Sequence, residues 1–337
     1  MGLEKSLIKS INDVMPRSQL QLNNLFESDS EIVEFGGMKM LFTIDEFSEE
    51  DMLREHDPFI LGWNLTVGAI SDILATGGRP VFYAHSMTID KNWDEDYVKL
   101  FSEGIASALK EANTSFIGGD FGRSGTWRYT ATVIGALEGE PLLRSKAREG
   151  DSIFISGKVG TGNFEAFIKM VSDRKLAGKL SRPIKNRFCL RLKEAELIRR
   201  YAGACIDTSD GVFNAINTIC EMSKTGYEVR DLPYIKTGAL AAKAFSMPKT
   251  LLFLGECGEY ELLFTVGVQN EEAFLKEASE KGLEFYKIGS VTEAQKRVLI
   301  EDRKQIDLSS VHIRARDFDD MRAYIKALMV SLKDNQI

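Results

Sequence analysis

The sequence predicts a mixed α+β protein built in two halves, and three observations carry that reading. The chain has 337 residues, 44% hydrophobic and 28% charged, enough for two ordinary domains with real cores. Short β-branched and aromatic runs alternate with stretches of helical period in both halves. Between the halves, over 141–150, the pattern breaks into a charged link bearing Arg144, Lys146 and Arg148. The expected domains are 1–140 and 150–337.

Residues 41–44 read as a short strand ending at Asp45, with an acidic loop over 46–57. A helix is expected over 61–75, where Leu65, Ala69 and Ile73 recur beside Val67, Ile70 and Leu74, and it stops at Gly77-Gly78 before Pro80. Strand 81–89 follows. Asp94 then caps a helix whose Val98, Phe101, Ile105, Ala108 and Leu109 share one face. Strands over 114–117 and 127–137 flank the turn-rich 118–125, long and polar enough to hold a ligand. In the second half the expected order is strand 152–156, a helix from about Asn163, helix 187–201, a strand at Cys205-Ile206 and helix 211–223. Strands 227–230 and 261–268, helix 271–281, and strands near 285–288 and 298–300 complete it.

A net charge of −7 argues against a nucleic-acid or acidic-membrane surface. The N-terminal residues carry no apolar leader core, and a cytoplasmic protein is expected. Cys189, Cys205, Cys220 and Cys257 form no CxxC pair, so neither a zinc knuckle nor a disulfide framework is indicated. With His56, His85 and His312 as the only histidines and no GxSxG elbow, chemistry here must lean on carboxylates and metal.

The acids supply that chemistry. Asp207-Thr208-Ser209-Asp210-Gly211 sets two carboxylates and a hydroxyl on one turn at a helix start, while Asp72 lies on the apolar helix and Asp120 follows Gly118-Gly119. Enclosed carboxylates are costly without a cation, and Mg2+ takes one or two carboxylates together with waters and phosphates. Each acid alone also suits a helix cap or a turn. Gly157-Lys158-Val159-Gly160-Thr161-Gly162 follows a strand and precedes a helix, but its GxxGxG spacing fits neither the dinucleotide fingerprint nor the P-loop, and an ordinary Gly-rich turn is the simpler reading.

Ile206-Asp207-Thr208-Ser209-Asp210-Gly211 resembles the D-x-S-D-G element of the thiamine-monophosphate kinases, within the ATP-using superfamily of aminoimidazole ribonucleotide synthetase. The stretch from Ile70 to Pro80 resembles L-S-D-x-A-A-M-G-A-x-P, and Gly118-Gly119-Asp120-Phe121-Gly122-Arg123 resembles G-G-D-T-x-R. Leu143-Arg144-Ser145 before Gly150-Asp151 resembles the T-R-S-G-A-x-P-G-D link, and the segment from Gly258 to Thr265 resembles G-G-E-D-Y-E-L-x-F-T.

The resemblance implies a two-domain aminoimidazole ribonucleotide synthetase-like fold, its N-terminal sheet forming a barrel in a homodimer and its C-terminal domain an α/β sandwich. It implies ATP with several Mg2+ ions, held by Asp29, Thr43, Asp45, Asp72, Asp120, Asp207 and Asp210, with Asp72, Asp120 and Asp210 central to catalysis. Gly119, Asp120, Arg144 and Ser209 would face the nucleotide. The departures cluster on the acceptor side. Ser28-Asp29 stands for a paired acid, Asp51 or Met52 for the family's histidine with His56 nearby, Gly258-Glu259 for an acidic pair, and Ala215 for an acid. His56 and Glu259 are the candidate substrate contacts. The expected activity is ATP- and Mg2+-dependent phosphoryl transfer to a small phosphorylated acceptor, with thiamine monophosphate used poorly. A synthetase of the same superfamily and a catalytically reduced nucleotide-binding protein are the alternatives.

Overall fold

The computed structural model describes residues 3–49, 51, 57–172, 187–293 and 296–334. In the first half the order is α1 (Leu3–Val14), β1 (Glu31–Phe35), β2 (Met38–Ser48), α2 (Pro58–Ala75), β3 (Arg79–Asp90), α3 (Glu95–Glu111), β4 (Ser115–Ser124) and β5 (Arg128–Leu137). The five strands form one sheet in the order β1-β2-β5-β3-β4, antiparallel except for the parallel β3–β4 pair.

The second half runs β6 (Ser152–Ile155), α4 (Thr161–Ser172), α5 (Leu192–Tyr201), β7 (Ala202–Asp207), α6 (Val212–Ser223), β8 (Gly226–Arg230), α7 (Lys236–Ala244) and α8 (Leu251–Leu254). It continues through β9 (Leu262–Val266), α9 (Val268–Glu280), β10 (Tyr286–Thr292), β11 (Arg297–Glu301), β12 (Lys304–Asp307) and α10 (Met321–Asp334). A seven-stranded sheet, β12-β11-β8-β10-β6-β9-β7, is its frame.

Two expectations need correction. The acidic loop after Asp45 begins later than its charge suggests, because β2 runs on to Ser48 paired with β5 through Ser48 opposite Arg128. Residues 118–124, expected as a ligand-holding loop, are the edge strand β4, paired with β3 out to Ser124 opposite Asp90. Glycines mark turns only where nothing pairs with them, and here Gly119 must lack a side chain because a Cβ would lie 2.4 Å from the His85 ring and carbonyl.

Helix α2 lies between the halves. Asp57 caps it through the Ile60 N–H, and Pro58 suits its first turn. By length and composition it could cross a membrane, but 83% of that window is buried in the fold, as expected of a core helix apolar all round. It meets α3 closely: a Cβ at Gly62 would stand 2.0 Å from the Phe101 carbonyl, and one at Gly104 would stand 2.1 Å from that of Phe59. One core joins Leu65, Ile70 and Ile73 of α2 with Tyr83, Phe101 and Tyr129, and with Phe154, Leu197 and Phe264 of the second half. The other face of the first sheet is open, and Phe35, Met38, Phe42, Ile44 and Phe82 are exposed on it.

Candidate metal and nucleotide site

The loop before β1, strand β2, helix α2 and the end of β7 bring four carboxylates together. One oxygen each of Asp29, Asp72 and Asp207 lie within 4.8 Å of one another. Asp45 points to the same side, since Thr43 and Phe47 flank it on the buried face of β2. Thr43 Oγ1 donates to Asp72 Oδ2 at 2.5 Å, and Ser71 Oγ donates to Asp207. Successive positions on α2 thus supply a donor to Asp207 and an acid of their own. Ser209 donates to Asp207 Oδ1 through its hydroxyl at 2.8 Å. Arg144 answers Asp29 with an Nη2 to Oδ1 contact of 2.7 Å and gives Nη1 to the Phe26 carbonyl.

The charges do not balance. Four acids face one guanidinium, and two like charges 4.8 Å apart repel by about 3 kcal/mol at an effective dielectric of about 20. Burial, then Asp29, raises the Asp207 carboxyl to about 7. Burial and Asp29 likewise raise Asp45 to about 6, and burial with Asp45 and Asp207 drives Asp72 well above the carboxylate range. Arg144 moves upward: burial opposes its charge, and Asp29 outweighs burial. Several oxygen donors with surplus negative charge and a hydroxyl among them suit a hard divalent cation such as Mg2+. Asp29, Asp45, Asp72, Asp207 and Thr43 would hold it, and it would offset charge on phosphate oxygens.

Not every sequence candidate joins this cluster. Asp210 is exposed on the turn after β7, three residues beyond Asp207. Asp120 pairs in register with Ser86 and lies on the open face of the first sheet, away from α2, with Gly119 beside it. Arg144 and Ser209 are bonded to Asp29 and Asp207. His56 and Met52 lie outside the described residues.

Glu259 faces elsewhere. Its carboxylate accepts the Gly160 N–H at 2.6 Å, and burial outweighs that contact, raising its carboxyl to about 8. The Gly-rich turn thus holds a carboxylate of the protein itself. Its neighbour Tyr260 turns the opposite way: a Cβ at Gly68 of α2 would stand 3.0 Å from the Tyr260 ring, and burial with Asp207 and Asp45 pushes the phenol well up. Tyr260 and Ser71 are the site residues that sequence reasoning missed. The signals were the glycine at 68 and the hydroxyl beside Asp72.

The chain belongs to the AIR synthase related protein family: its N-terminal domain profile matches residues 27–137 and its C-terminal domain profile residues 148–302. Similar curated proteins include thiamine-monophosphate kinases. That of Buchnera aphidicola subsp. Schizaphis graminum is 28% identical over 314 residues, covering 90% of this chain and 91% of the relative. That of Buchnera aphidicola subsp. Acyrthosiphon pisum is 31% identical, covering 75% and 80%. Among solved structures, thiamine monophosphate kinase from Aquifex aeolicus superposes with a TM-score of 0.69 at 23% identity, covering 89% of this chain and 98% of that one. A structure described as AaThiL complexed with AMPPCP and TMP gives 0.72 at 24% identity, covering 89% and 95%.

Proposed function

We propose that this protein is an ATP-dependent kinase of the thiamine-monophosphate kinase type, working with Mg2+ on a small phosphate monoester. The observation that carries the reading is the buried, over-charged acid cluster drawn from both halves of a chain whose relatives bear that name. In-line transfer of the γ-phosphoryl group needs positioning and charge compensation more than covalent help. Asp29, Thr43, Asp45, Asp72 and Asp207 hold metal, with Asp210 at the rim. Arg144 and Ser209 serve the nucleotide, Arg144 after exchanging part of its bond to Asp29, whereas Gly119 and Asp120 lie on the open face of the first sheet, away from this cluster. A phosphate monoester is largely dianionic at neutral pH, its second pKa lying near 6, so the acceptor oxygen needs no strong base.

Residues 1–140 are assigned as the metal, nucleotide and dimerisation domain, and 150–337 as the C-terminal domain. The exposed Phe42, Ile44 and Phe82 support a homodimer through the open sheet, which would also enclose Asp120. Four free thiols suit a cytoplasmic setting. The Glu259 placement weakens one ground for expecting poor use of thiamine monophosphate, because that carboxylate faces the turn and not the acid cluster. Thiamine monophosphate is therefore the first acceptor to test. Incubation with ATP and Mg2+ should yield thiamine diphosphate by chromatography. Release of free phosphate with a new C–N bond would favour a synthetase, and no ATP turnover with any phosphate monoester would refute the kinase reading.

A further inference from the structure

Behind the acid site, the turn 208–211 that carries Ser209 and Asp210 rests on the segment 255–258, which lies between α8 and β9 and belongs to neither. The packing leaves no slack: a Cβ at Gly258 would stand 2.0 Å from the Ser209 carbonyl, and one at Gly211 would stand 2.4 Å from that of Gly255. A hydrogen-bonded link runs alongside, since Asn214 Nδ2 donates to the Asp210 carbonyl at 3.0 Å and to Glu256 Oε1 at 3.2 Å. Where the segment goes, the turn must follow.

The segment itself is held by Asn163, in the first turn of α4. Asn163 Nδ2 donates to the Leu252 carbonyl at 2.9 Å and to the Gly255 carbonyl at 3.1 Å, and its Oδ1 accepts the Cys257 N–H at 3.1 Å. One amide thus uses both of its donors and an acceptor on main-chain groups at either side of the bend. Gly255 lacks a side chain for the same reason: a Cβ there would stand 2.0 Å from Asn163 Oδ1, whereas its φ of −67° suits any residue. Helix α4 is anchored in turn, because Glu259 accepts the Gly160 N–H and a Cβ at Gly162 would stand 2.4 Å from the Cys257 carbonyl.

We propose that Asn163 is a positioning residue for the nucleotide: it fixes the segment 255–257 and, through it, the turn that presents Ser209 and Asp210. The proposal rests on the ATP-dependent kinase reading and adds to it a residue that is bonded to none of the acids. Asp72 and Ser71 are held independently by the buried helix α2. Loss of the tether therefore falls on what the turn carries, and it weakens ATP binding without dismantling the acid cluster.

Asn163→Ala removes the tether, Asn163→Asp keeps its shape but loses both donors, and Gly255→Ala evicts the Asn163 side chain from its place. Each variant of the full chain should raise KM for ATP about tenfold with kcat within about twofold of wild type. The double variant Asn163→Ala with Gly255→Ala should be no worse than either single one, since both break one tether. In ATP-free protein, amide exchange at Gly211, whose N–H donates to the Thr208 carbonyl at 3.0 Å, should quicken about tenfold, and exchange over 60–75 should not change. A merely structural role would lower kcat with the folded fraction and leave KM alone. That result, multiplied effects in the double variant, or unaltered exchange at Gly211 would overturn the proposal. A wild type without ATP turnover would refute the kinase reading alone, and the exchange rates would still decide whether Asn163 holds the turn.

Discussion

Replacing Asp72 by Asn should make the metal-free protein more stable while removing its response to Mg2+. The substitution is nearly isosteric, and Asn Oδ1 can still accept the Thr43 hydroxyl now donated to Asp72 at 2.5 Å. What disappears is one titrating carboxyl from a group whose oxygens lie within 4.8 Å of one another. Asp72 itself is driven well above the carboxylate range by burial, then by Asp45, Asp207 and Asp29, so it costs folding stability once pH exceeds its unfolded value near 4, and the amide removes that cost. A gain of about 1–2 kcal/mol above pH 7 is expected, or a few degrees in Tm. The sign follows from the direction of the shifts. Carboxyls raised in the folded state favour folding below their unfolded value near 4, and that contribution is lost as pH rises through 6 to 7. Metal-free wild type should therefore lose stability from pH 5 to 8, and Asp72→Asn should lose less. Mg2+ should restore wild type by binding only the folded form, and do little for the variant. Thermal melts at pH 5, 6, 7 and 8, with EDTA or Mg2+, provide the measurement. A variant less stable than wild type in EDTA, or one stabilised equally by Mg2+, would refute the charge argument.

Gly258→Ala should cost several kcal/mol and abolish ATP turnover, since its Cβ would stand 2.0 Å from the Ser209 carbonyl and 2.3 Å from that of Thr208; wild-type kinetics would show that the turn shifts freely. Arg144→Lys should weaken turnover at least tenfold, because an ammonium cannot reproduce the contacts to Asp29 and the Phe26 carbonyl; unchanged turnover would place Arg144 outside the machinery. Phe42→Glu on the open sheet should yield monomers in sedimentation, and an intact dimer would move the interface elsewhere.

Much of this was legible in the residues. The helical period of α2 stands out because its core neighbours surround it, and Asp94 caps α3 as its position suggests. Asp29, Asp45, Asp72 and Asp207, far apart in the sequence, come together where the loop before β1, strand β2, helix α2 and strand β7 meet. What was hidden depends on pairing over distance. Residues 118–124 look like a turn until β3 supplies their hydrogen bonds, and Asp120 then falls on the open face. Glu259 and Tyr260 are adjacent in sequence yet serve opposite sides, because neighbours in an extended segment point apart. Helix α1 repeats Leu7, Ile8, Ile11 and Val14 at helical spacing, a period that the sequence reading passed over, and in the fold those side chains are exposed.

The burial of α2 sets which wall of the acid site can move. Ser71 and Asp72 ride on a helix enclosed on nearly every side and locked to α3 by glycine contacts, so they cannot swing toward a ligand. The facing wall is different: Ser209 and Asp210 are exposed, and Gly211 holds a φ of +81° against the Gly255 carbonyl. Ordering on ligand entry must therefore be one-sided, with one jaw fixed and the other a short turn. Amide exchange should be slow throughout 60–75 with or without nucleotide, and should slow selectively at 209–211 when ATP and Mg2+ are added.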